Sequence, residues 1–156
     1  MWQLVPGTAI GPYRLGDPVP SGEAWSAEER HGLTVYRRAG VWLYVTEARV
    51  TQVGVVAPAR GVGPGGLHLG GRAGDIAGEL VFDTESAVFG LVAHPGLTVS
   101  FAGTDEDELR DASMRHARVS LSPDARVDWL GVHVDADEAP RVPVDVREAL
   151  GDPHRL

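Results

Sequence analysis

The sequence predicts an α+β protein built from two diverged tandem repeats, each a short helix followed by an antiparallel β-meander. Three observations predict it. The stretch Gly65-Gly66-Leu67-His68-Leu69-Gly70 is echoed by Gly11-Pro12-Tyr13-Arg14-Leu15-Gly16, with the two Leu-Gly pairs 54 residues apart. A weakly helical segment follows each copy. Hairpin-like alternation then follows in both halves, Leu97 standing 56 residues after Val41. A self-similar period of this kind reads as stacked supersecondary units, and a helix followed by consecutive antiparallel strands reads as helices on one face of a sheet.

In chain order, residues 1–59 form the first repeat. Residues 1–20 hold four prolines and three glycines, an irregular lead-in. Ser21 to Arg30 is the first helix candidate, with Ser26 and Glu29 as a capping box for a shorter version, Trp25 as core anchor and Gly32 as the stop. Three strands follow: Leu33 to Arg38, Val41 to Thr46 and Val50 to Val56. Ala39-Gly40 is a two-residue hairpin turn between the first two. On the middle strand Val41, Leu43 and Val45 share one face, and Trp42, Tyr44 and Thr46 share the other.

Residues 60–135 form the second repeat. Its weak helix runs from Arg72 to Leu80, with Gly74 and Gly78 lowering helix propensity. Its hairpin joins Ala87 to Ala93 with Leu97 to Ala102, turned at His94-Pro95-Gly96. Residues 104–117 read as an inserted helix. Thr104 and Asp107 match a capping box, acids crowd the first turn, and Glu106–Arg110 and Asp111–Arg115 are i, i+4 pairs. Val127 to Asp135 is the last strong strand, and residues 136–156 are an acidic, proline-containing tail.

Composition narrows the chemistry. There is no cysteine, so disulfides and thiolate sites are excluded, and all 14 basic residues are arginine, which excludes Schiff-base lysines. No stretch matches a signal peptide or a membrane span, so the expected setting is cytoplasmic. Net charge is −8, carried by the second half, where residues 78–156 hold 16 acids against 7 arginines. Such a surface repels phosphate backbones and favours a basic protein partner over nucleic acid.

The Gly-x-Leu-x-Leu-Gly pattern at 65–70, with its short helix and meander, resembles the BamE (SmpA/OmlA)-type outer-membrane assembly lipoproteins. Its duplication is similar to the β-lactamase inhibitor protein family, which has two tandem helix-plus-sheet units. The likeness covers about 20 residues in each half. It implies protein binding without catalysis.

Two constellations could carry a function. Tyr36, Trp42 and Tyr44 lie opposite the aliphatic face of the first hairpin, with Arg38 near. If the sheet is covered on one side only, this set is a binding surface of the residue types that dominate hot spots; if covered on both, it is a second core layer. His133, Asp135 and Asp137 alternate along the last strand, so one face could present them to a divalent metal, with His68 or His94 as a further ligand. Gly61-Val62-Gly63-Pro64-Gly65-Gly66 fits a dinucleotide fingerprint but precedes an extended Leu67-His68-Leu69, which reads as a linker. The expectation is a non-catalytic protein-binding module of inhibitor or immunity type with no cofactor. The alternative is a metal-dependent or small-ligand enzyme using His133 and Asp135. Pairing of two copies through a strand edge is a third reading.

Overall fold

Paired residues with positive φ organise the computed structural model, which describes residues 1–134 and 140–147. His31-Gly32, Ala39-Gly40 and Glu47-Ala48 all have both φ values between +47° and +85°. That geometry matches the right-handed twist of flanking strands, so each pair closes a tight hairpin. The three turns join β4 (Ser26–Arg30), β5 (Leu33–Arg38), β6 (Val41–Thr46) and β7 (Arg49–Val55) into one meander. Before it come β1 (Trp2–Val5), β2 (Ala9–Ile10) and β3 (Tyr13–Arg14). After it come β8 (Gly61–Val62), β9 (Leu80–Asp83), β10 (Val88–Leu91) and β11 (His94–Phe101). The chain continues through α1 (Glu106–His116), β12 (Val119–Leu121), β13 (Val127–His133) and β14 (Arg141–Val146).

The strands form two sheets. Ten lie in the order β12-β14-β9-β10-β11-β13-β7-β6-β5-β4, and four in the order β3-β2-β1-β8. All pairings are antiparallel except β1 with β8 and β12 with β14. Strand covers 49% of the described residues and helix 12%, so the protein is mostly β and not the expected α+β pair of repeats.

Each departure has a local cause. Residues 26–30, expected within the first helix, form an edge strand. The His31-Gly32 turn folds them back onto β5, and cross-strand pairing overrides their helix propensity. Gly32 is thus a turn residue, not a helix stop. Trp25 packs on the core from the turn before β4. The helix expected over 72–80 is a single 3₁₀ turn at Ala73–Asp75. Its neighbouring amides bond elsewhere: Ala73 N–H to the Ala125 carbonyl, Gly74 N–H to Pro123 and Ala77 N–H to Gly65. The second hairpin turns at Val92-Ala93, while His94 and Pro95 belong to β11.

The Leu-Gly echo marks equivalent turns rather than duplicated units. Leu15 and Leu69 both pack against the core. Gly16 and Gly70 both have φ near the left-handed region, at +87° and +79°. Each donates its N–H to a strand carbonyl, Val50 and Val127 respectively.

Helix α1 falls within the 104–117 window. Asp105 is its N-cap, accepting from the Asp107 and Glu108 amides, and Ala117 closes it at φ +52°. Thr104 instead donates to the Phe101 carbonyl at 2.8 Å.

One continuous core runs along the ten-stranded sheet. Val41, Leu43, Val53, Val55, Leu130, Val132, Val99, Phe101, Phe89 and Phe82 line one face and are almost fully buried. The four-stranded sheet lies across that face over β7 and β13, adding Leu4, Ile10 and Tyr13. Among the described residues, the opposite face of the sheet's centre carries the half-exposed side chains of Trp42, Tyr44 and Trp129. Among the described residues no helix is long and apolar enough to cross a membrane.

Candidate binding surface

The uncovered face is built by register. A two-residue turn at Ala39-Gly40 pairs Arg38 with Val41, Arg37 with Trp42, Tyr36 with Leu43 and Val35 with Tyr44. Directly opposed residues share a face. Trp42 and Tyr44 therefore stand with Arg37 on the open face. Tyr36 and Arg38 project to the other side, where Tyr36 packs on the core and Arg38 pairs with Glu23 at 3.3 Å. The expected four-residue set thus divides between the two faces.

The open face gains a third ring from β13. Trp42 lies opposite Gly54, which lies opposite Gly131, which lies opposite Thr98. The two glycines leave a gap in the surface of the sheet, and the Trp129 indole fills it. A Cβ on Gly54 would lie 2.0 Å from Trp129 Cζ2, and one on Gly131 would lie 3.1 Å from its Nε1. Trp129 then meets Trp42 edge-on, with ring centroids 5.4 Å apart at 88°, and Tyr44 at 6.1 Å and 79°. Trp42 and Tyr44 are 6.5 Å apart and tilted by 31°.

Charge frames the cluster at both ends. On one side the Arg37 guanidinium lies 4.1 Å from the centre of the Trp42 ring, a cation–π contact. Arg37 and Arg30 each donate to Glu28 Oε2 at 3.1 Å. Arg37 Nε is buried without an acceptor among the described residues. Burial pushes the Tyr44 phenol up from its ordinary value, against the lowering effect of Arg30 and Arg37.

On the other side is Asp128. The pairing of β11 with β13 slips between Ser100–Trp129 and Phe101–Val127, so Asp128 is the extra residue of a bulge. Bulges re-aim side chains, and here Asp128 joins Trp129 in lining an open hollow of about 420 Å³. Trp42, Tyr44, Gln52 and Ser100 also line it, with Val56, Val88 and Thr98. Desolvation raises the Asp128 carboxyl above its ordinary pKa, opposed only by a hydrogen bond from its own backbone.

Of the metal candidates only the histidines lie among the described residues. His133 Nδ1 lies 2.9 Å from the Val134 carbonyl oxygen, and His68 Nδ1 lies 3.0 Å from that of Gly66. Asp135 and Asp137 lie outside the described residues, and among those described no three His, Asp or Glu side chains group as metal ligands. The glycine-rich stretch 61–66 runs from β8 into a 3₁₀ turn at Pro64–Gly66, and Leu67 after it is extended, so no α-helix N-terminus faces it.

Arg37, Trp129 and Asp128 were not among the expected binding residues. The Ala39-Gly40 turn already implies that Arg37 faces Trp42. Gly54 inside a strand signals a close approach by another group. Nothing in the sequence marks the bulge that turns Asp128. No family model, curated protein or solved structure matches this chain.

Proposed function

We propose that this protein is a non-catalytic protein-binding module, of inhibitor or immunity type, acting in the cytoplasm through the open face of its large sheet. One observation carries the reading: Trp42, Tyr44 and Trp129 form a half-exposed aromatic cluster with Arg37 on the face that the small sheet does not cover. Trp, Tyr and Arg bury large areas at low entropic cost, which is why they anchor interfaces. The acidic second half supports a basic partner, since complementary charge speeds encounter and penalises wrong partners.

The test is capture of a stoichiometric partner from native lysate by tagged protein, its identification, and binding of the purified pair. Trp42→Ala and Tyr44→Ala are expected to abolish binding while the melting temperature stays within a few degrees. Undiminished binding by both variants would overturn the assignment of this face.

A further inference from the structure

Among the described residues Asp128 forms no ion pair. The described acids that form ion pairs do so with arginines elsewhere: Glu28 with Arg30 and Arg37, Glu23 with Arg38, Asp75 and Asp124 with Arg72, Glu106 with Arg110, Asp111 with Arg115, and Asp145 with Arg118. Asp128 sits instead at the wall of a hollow lined by three aromatic rings. Its carboxylate is exposed beside the half-buried rings, so a counter-charge entering the hollow can reach it. The bulge that aims it there is a local interruption of an otherwise regular pairing.

The same face already shows which cation its rings accept. Arg37 lays its guanidinium over Trp42. A planar guanidinium can stack on an aromatic ring while donating to a carboxylate, which a compact ammonium does less well. At about 420 Å³ the hollow is within the usual range of small-molecule sites, and it is open to a long side chain. Gln52 and Ser100 on the wall add polar groups that can orient the remaining guanidinium donors.

We infer that the hollow receives an arginine side chain of the partner protein, its guanidinium paired with the Asp128 carboxylate and packed against Trp129 and Tyr44. This rests on the open face being the binding surface. It adds that the partner inserts a specific basic anchor there, beyond the diffuse attraction of an acidic surface.

The experiment uses two probes on the full chain: N-acetyl-arginine methylamide and its neutral isostere N-acetyl-citrulline methylamide. Binding is followed by indole fluorescence and by chemical shifts of the Trp side-chain N–H groups. The arginine probe is expected to perturb Trp129 and to bind about tenfold more tightly than citrulline, the size of one charge-assisted contact. Asp128→Asn should remove that preference, while Glu79→Gln, an equal change in net charge away from the hollow, should retain it. Equal binding of the two probes, or an arginine preference that survives in Asp128→Asn, would overturn the proposal. The captured partner separates this from the broader reading. If Trp42→Ala abolishes its binding but Asp128→Asn binds as tightly as Glu79→Gln, the face is the interface and the arginine anchor is wrong. If the arginine preference requires Asp128 while partner binding ignores Trp42, the hollow is a cation site and the interface lies elsewhere.

Discussion

A glycine without a side chain decides where the largest ring of the open face can lie. Gly54 is the last residue but one of β7, where its lack of Cβ weakens the strand. Trp129 offsets that loss by filling the space, at a distance no side-chain carbon could share. Gly54→Ala therefore displaces the indole. Such overpacking costs about 1–3 kcal/mol. Chemical denaturation should show a loss of that size, with Trp fluorescence shifted toward that of an exposed indole. An unchanged emission spectrum would mean the ring does not depend on the gap. Part of this arrangement is legible from the sequence. Trp42 and Tyr44 alternate against Val41, Leu43 and Val45, and they do share a face. Tyr36 follows a different logic, because the turn, not the residue type, sets its side. Asp128 is illegible because a bulge has no compositional mark.

At the scale of elements, three hairpins depend on turns made from unusual residues. A two-residue turn of this geometry favours Asn-Gly, yet the chain contains no Asn. Glu47 and Ala48 occupy it at φ +52° and +62°, a region where a Cβ is penalised. The double substitution Glu47→Asn with Ala48→Gly should raise stability by about 1 kcal/mol and the melting temperature by roughly 2–4 °C. A lower melting temperature would show that the side chains there supply something the backbone geometry does not. The same turns explain why Ser26–Arg30 is a strand where the sequence predicts a helix. Ser26 to Arg30 has the composition of a helix and all five residues are exposed, so no burial pattern contradicts that reading. Only pairing with β5 decides it, and pairing is a property of two segments. By contrast, acids at the start of α1 and i, i+4 pairs along it are local signals, and the helix forms where they are.

On the scale of the whole molecule, β13 joins what reads as two halves. It lies between β11 and β7, and Leu130 and Val132 on it are fully buried. Leu130→Ala should cost about 2–5 kcal/mol. Unfolding followed by far-UV circular dichroism and by Trp fluorescence should remain one coincident transition, because no part of the core is separable from this strand. Two resolved transitions would mean that the halves fold independently. The tandem-repeat reading fails at this scale for a physical reason. Two Leu-Gly turns can each dock a glycine amide on a strand without the units around them being copies. Strand order, with a late strand inserted at the centre, leaves no trace in periodicity.

That insertion also sets a schedule. During synthesis the N-terminal part of the chain emerges first. Trp42, Tyr44 and the free edge of β7 are then present, but Asp128 and Trp129 are not, and Gly54 has nothing above it. The ring cluster is complete only when β13, near the C-terminal end of the described chain, slots into place. A protein truncated before residue 127 would thus display two aromatic rings and an unpaired strand edge without the ring and the acid that β13 sets beside them.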